Sequence, residues 1–118
     1  MTMGAPPMAQ PTVATPAVIE SLPCVPLGAT PGVEHVVLWH DGISMAGLLT
    51  VPAGTRLGQH SHGRNHHHMW VLEGRAVVFD DVVMAGTYVH IPAGVPHDLD
   101  ATHTEGCRVF YLYIRPAD

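Results

Sequence analysis

Apolar and polar positions alternate along this chain in short bursts rather than with a helical period. From Val33 onward, runs rich in Val, Ile, Leu, Tyr and Phe are broken every few residues by Gly, Pro or Asp. Period-2 runs bounded by such punctuation read as strands. The first spans residues 33–40. Asp41-Gly42 turns the chain into a second at 44–51, which Pro52-Ala53-Gly54 closes. A third covers 68–72, with Glu73-Gly74 as its turn. Runs at 76–79 and 82–84 flank Asp80-Asp81 as a tight hairpin. One more at 87–91 precedes Pro92-Ala93-Gly94, and the strongest, 108–114, comes last. No apolar period of 3.6 persists beyond a turn or two. The pattern predicts an all-β sandwich or barrel.

The N-terminal portion differs. Residues 1–17 are rich in Pro, Ala, Thr and Gly without apolar periodicity, so they read as a disordered or extended arm. Pro23, Pro26 and Pro31 follow, and a segment carrying them can lie along a sheet edge but not inside a ladder. Residues 18–118 then form a single domain, the usual outcome for 118 residues. With 47% hydrophobic and only 13% charged residues, the chain buries a core rather than staying unfolded.

Charge narrows the partners. Lysine is absent, the five arginines stand singly, and the formal net charge is -5. That excludes the basic footprint of a nucleic-acid binder and a polybasic membrane anchor. No run approaches the ~18 apolar residues of a spanning helix, and the N-terminus lacks a signal-peptide pattern. A cytoplasmic location is expected, with Cys24 and Cys107 as idle thiols.

The chemistry concentrates in one place. Five of the ten histidines fall between His60 and His68. His60 and His62 are two apart, so an extended backbone turns both to one face and toward one ion. His66, His67 and His68 are candidates for a third ligand. On the strand that follows, His67, Met69 and Val71 share one face and His68, Trp70 and Leu72 the other. His97, just past the Pro92–Pro96 turn, is available as another ligand.

These residues match a known pattern. Gly54, His60, His62, His67 and Gly74 carry the spacing of the first cupin motif, G-x5-H-x-H-x3-4-E-x6-G. Gly86, Pro92, Gly94, His97 and Ala101 carry that of the second, G-x5-P-x-G-x2-H-x3-N. The chain resembles a small single-domain cupin over residues 33–114. The resemblance implies a cupin-type β-barrel or jelly roll with a metal ion inside, held by His60, His62 and His97. Two positions depart from the pattern: His67 stands where the family has Glu, and Ala101 where it has Asn. This looks like a four-histidine variant with His67 as the fourth ligand. Four neutral imidazoles leave the ion's double charge intact where a carboxylate would halve it. That strengthens the pull on anionic ligands and lowers the pKa of bound water.

One divalent ion per chain is implied, and Mn, Fe, Zn, Ni and Cu all suit imidazole. An octahedral ion with four His ligands keeps two positions for a chelating small molecule, or for substrate and dioxygen. The leading expectation is a dioxygenase-type oxidoreductase acting on a small enolisable or aromatic compound. A non-redox cyclase, isomerase or lyase and a non-enzymatic metal- or ligand-sensing cupin stand beside it. Either face of 108–114 can line the interior on composition alone. The family pattern favours Tyr111 and Tyr113, and Tyr111 is the candidate catalytic proton donor, with a plain wall role as the other reading. Arg56 is a candidate rim anchor for an anionic substrate. His66 is expected in a loop, His68 on the outer face or at a subunit contact, and His90 in the core or at the rim. His35, His40 and His103 are expected to be surface polar residues. By the same resemblance the chain is expected to form a homodimer.

Overall fold

The structure is a computed structural model, and it describes residues 10–61 and 63–116. A short helix, α1 (Pro16–Ser21), precedes seven strands: β1 (Val25–Pro26), β2 (Glu34–His40), β3 (Met45–Pro52), β4 (His66–Val78), β5 (Asp81–Met84), β6 (Tyr88–Ile91) and β7 (Gly106–Ile114). Thr15 caps α1, its hydroxyl accepting from the Val18 N–H at 3.3 Å, and Pro16 sits in the first turn, where its missing N–H costs nothing. The helix therefore straddles residue 17, where the sequence pattern placed the end of the arm.

The strands run antiparallel in the order β1-β2-β3-β7-β4-β5, with β6 also on β4. Pro26 lies on the edge strand β1, where a missing donor is tolerated. The β2–β3 connection is held by Asp41, whose Oδ1 accepts from the N–H groups of Ile43 and Ser44 at 2.8 and 2.6 Å. The all-β expectation holds, and the strand alternation is the one the sequence predicts: His67, Met69 and Val71 are buried, while Trp70 and Leu72 are exposed.

Two local expectations are corrected. Glu73-Gly74 is not a turn: β4 runs through it without a break for 13 residues, with a bulge between Val71 and Glu73. Gly74 is needed there because β7 passes close by; a Cβ at this position would lie 2.9 Å from the Gly106 carbonyl carbon. The β4–β5 turn sits one residue earlier than Asp80-Asp81. Val78 pairs with Asp81, and Phe79 and Asp80 form the two-residue loop with φ of 50° and 67°. Both central residues at positive φ match the twist of a tight hairpin.

A second wall is built without regular strands. Backbone bonds link Gly54 N to Ala101 O, Leu57 N to Leu99 O, and His60 to His97 in both directions. Asp100 also pairs with Val77 at the end of β4. The interior between the sheet and this wall is filled by Leu49, Val51, Met69, Val71, Ile91, Leu99, Val109 and Tyr111.

Candidate metal centre

His60 and His97 face each other across the irregular wall. Their backbones exchange hydrogen bonds of 2.9 and 2.8 Å, which brings the ring centroids to 4.2 Å. Each ring is then oriented by its own chain. His60 Nδ1 lies 2.7 Å from the Gly58 carbonyl, and His97 Nδ1 lies 3.0 Å from that of Val95. A carbonyl only accepts, so Nδ1 carries the hydrogen in both rings and Nε2 the lone pair. That is the tautomer a metal ligand needs, fixed by the outer-shell contact usual for ligating histidines.

The third imidazole comes from the opposite wall. His67 is almost fully buried on the inner face of β4, its Nδ1 3.2 Å from His97 Nε2 and its ring edge-on to Tyr113 at 4.8 Å. His62 lies outside the described residues. Among those described, no group of three or more His, Cys, Asp or Glu side chains has its donor atoms already gathered for an ion. The donor set nonetheless fits a divalent metal. Three imidazoles from three chain segments converge, two are locked with Nε2 as the lone-pair nitrogen, and burial lowers the pKa of His97, which keeps it neutral.

Asp98 secures the segment beside His97. One carboxylate oxygen accepts from Gly58 N at 2.8 Å, and the other takes the Arg56 guanidinium through Nε at 2.7 Å and through Nη2. Asp100 adds a longer contact to Arg56 at 3.9 Å. Arg56 is thus committed to carboxylates that tie 56–58 to 98–100. This structural role stands beside the expected one at the rim, since the Arg56 side chain is 57% exposed.

A cavity of about 240 Å³ adjoins the histidines, lined by Leu27, Gly28, Leu57, Gly58, Gln59, His60 and Tyr113. Its wall is mostly apolar with few polar groups, the usual character of a small-molecule pocket. Tyr113 is the tyrosine on this cavity. Tyr111 lies one step behind, fully buried, its ring centroid 4.8 Å from that of Tyr113. The Tyr111 hydroxyl is 2.7 Å from Nδ1 of His35 and 3.5 Å from the Met45 sulfur. Burial pushes the Tyr111 pKa up to about 12 and raises that of Tyr113 as well, so both are phenols rather than phenolates at neutral pH.

His35 is the residue that sequence reasoning missed. It was expected on the surface, yet it is half-buried against Tyr111. No local signal marks it: on its strand the buried residue is Val36, of opposite parity, and Tyr111 lies 76 residues away. The other histidines lie outside the centre. His66 opens β4 rather than lying in a loop, and its Nδ1 accepts from Ala93 N at 3.3 Å. His90 is exposed, not in the core; it pairs with His68 across β4 and β6, with rings stacked at 4.9 Å. His68 Nδ1 is 2.6 Å from the Tyr88 hydroxyl. Trp70 continues this outer strip, 4.9 Å from Tyr88 and 5.8 Å from Phe110.

The buried imidazoles set a pH dependence. Burial lowers the pKa of His97 and of His35 from 6.5, so as pH falls the unfolded chain takes up protons before the folded one does. Their stabilising contribution is complete above 6.5 and is lost as pH falls through the depressed folded values. Metal-free protein is therefore expected to keep a level Tm from about pH 8 to about pH 7 and to melt progressively earlier toward about pH 5. A Tm that rises on acidification would contradict this burial argument.

The ChrR cupin-like domain family matches residues 14–114. No curated protein matches the chain. The anti-sigma factor ChrR of Rhodobacter sphaeroides, solved in complex with SigE, is 25% identical with a TM-score of 0.67, covering 80% of this chain and 51% of its own. The chain thus spans about half the length of that relative. An RmlC-like cupin from Ralstonia eutropha aligns at 17% identity and a TM-score of 0.74, covering 92% of this chain and 71% of its own. The polyketide cyclase RemF of Streptomyces resistomycificus aligns at 22% identity and 0.69, covering 84% and 79%. The last two show likeness of fold.

Proposed function

The chain belongs to the ChrR cupin-like domain family, and from that premise we propose that it is a mononuclear metal cupin whose His60, His62, His67 and His97 hold one divalent ion. We further propose an oxidoreductase of dioxygenase type, acting on a small compound able to chelate that ion. The observation that supports this reading most is the convergence of His60, His67 and His97 beside the cavity that Tyr113 walls. When bound, the ion supplies Lewis acidity and, if redox-active, a site for dioxygen chemistry.

The chain's own residues do the rest. The carbonyls of Gly58 and Val95 hold two imidazoles in the ligating tautomer. Leu27 and Leu57 narrow the cavity to a small, partly apolar compound and exclude water around it. The Tyr113 phenol keeps its proton at the cavity wall, where it can donate a hydrogen bond to a bound oxygen atom. Tyr111, the candidate proton donor, acts from behind Tyr113 in this arrangement.

The test is elemental analysis and EPR of untagged protein, followed by dioxygen uptake with diketones and catechols. About one iron, manganese or copper per chain with substrate-dependent uptake is expected. No stoichiometric metal after reconstitution would overturn the reading.

A second reading is favoured by the likeness to ChrR, a protein solved in complex with a sigma factor. In it the same centre senses a metal or small ligand and turns over nothing. Metal-loaded protein inert toward every chelating compound, yet shifted in Tm by one of them, would favour it over the first.

A further inference from the structure

Tyr111 is placed with unusual strictness for a wall residue. Its ring occupies the space above Gly47 on the neighbouring strand β3, where a Cβ would lie 2.6 Å from the ring's Cε2 atom. The sequence therefore leaves out a side chain at position 47 to seat this phenol. The hydroxyl points at His35 Nδ1, 2.7 Å away, and sulfur, a weak acceptor, is its other neighbour. His35 itself is half-buried, so it touches both the interior phenol and the outside of the barrel. From Tyr111 the aromatic contacts lead inward. Tyr113 follows at 4.8 Å, and His67 lies 4.8 Å beyond it.

A phenol that gives up an electron becomes a very strong acid. It gives that electron readily only if its proton has somewhere to go in the same step. A neutral imidazole at hydrogen-bond distance is such a place, and burial keeps His35 neutral at pH 7. The buried ring is also shielded from solvent.

We propose that Tyr111 and His35 form a proton-coupled redox pair, in which a one-electron oxidant takes an electron from Tyr111 while the phenolic proton passes to His35 Nδ1. The O–H bond breaks and an N–H bond forms. The products are a buried neutral phenoxyl radical, an imidazolium that exchanges its proton with water, and the oxidant reduced by one electron. The pair gives oxidising equivalents that arise inside the barrel a defined exit along Tyr113, Tyr111 and His35. It needs no metal, so it stands or falls separately from the function proposed above.

Tyr88 and Tyr113 are the competitors, because each also contacts a histidine, His68 on the exposed face and His67 inside. The experiment therefore uses the full chain carrying Tyr88→Phe and Tyr113→Phe, freed of metal with a chelator. The oxidant is ruthenium(III) tris(bipyridine) generated by a light flash, and the phenoxyl radical is followed by transient absorption and by EPR of frozen samples. A phenoxyl signal with a solvent deuterium isotope effect on its formation is expected. Tyr111→Phe should abolish that signal. His35→Gln keeps a hydrogen-bonding side chain but removes the base, and should slow formation by roughly tenfold or more and erase the isotope effect. His35→Phe should match it. With Tyr111→Phe present, changing His35 should add nothing. A phenoxyl signal that survives Tyr111→Phe overturns the proposal. So does an unchanged rate and isotope effect in both His35 variants.

Discussion

Replacing His67 with alanine is expected to weaken metal binding by about a hundredfold or more, a larger loss than outer-shell changes produce. His66→Ala and His68→Ala are expected to leave binding intact. The three residues are consecutive and chemically identical, so only geometry separates them. Along β4 the side chains alternate between faces, and His67 shares the inner face with Met69 and Val71. His66 and His68 lie on the other face, against His90 and Tyr88. Metal-to-protein ratios after dialysis read the outcome, and equal losses for all three variants would refute the assignment. His67→Glu should retain the ion, since a carboxylate is a good ligand for a divalent metal, while lowering the net charge of the centre.

Gly74→Ala should be the most destabilising of the alanine changes at the glycines of the two cupin motifs. Its backbone has φ of +74°, which alone costs an L-residue about 1–2 kcal/mol. The added methyl would also collide with the Gly106 carbonyl oxygen and come within 3.0 Å of Cys107 Cα, both on β7. These are backbone atoms in a paired strand, so the clash cannot be relieved by turning a side chain. Overpacking adds about 1–3 kcal/mol. Together the two effects predict a fall in Tm of roughly 10–20 °C for a domain of this size. Gly54→Ala is the control. Its φ is similar at +77°, but a Cβ there meets nothing within 4 Å. Thermal melts of the two variants separate conformational cost from crowding, and equal shifts would show that crowding at Gly74 contributes nothing.

What the sequence disclosed, and what it concealed, follows from the range of the interactions. The alternation that sets His67, Met69 and Val71 on one face is a period-2 property of their own strand and was legible, and the motif spacing told which face turns inward. The convergence of His60 and His97 was legible only through the spacing of two motifs, because their contact joins segments far apart in the chain. The continuity of β4 through Glu73-Gly74 was not. Locally those residues look like a turn, and the reason for the glycine is the close passage of Gly106 on a strand that arrives much later. The hairpin slipped by one residue because Phe79 at positive φ is a local cost that the Val78–Asp81 pairing outweighs. The burial of His35 and the ion pair of Arg56 were not legible for the same reason. Their partners Tyr111 and Asp98 are 76 and 42 residues away.

The histidine triplet has a consequence for heredity. Met69 and Val71, buried in the core just after the triplet, anchor the register of β4. The inward imidazole is therefore whichever residue stands two places before Met69. Deleting one codon within the triplet leaves a histidine at that place, puts Asn65 where His66 opens the strand, and shortens the loop that precedes it. An extra histidine codon lengthens the same loop and also leaves a histidine at that place. The repeat thus lets descendants of this sequence vary the length of the loop between His62 and the strand while the interior keeps its third imidazole.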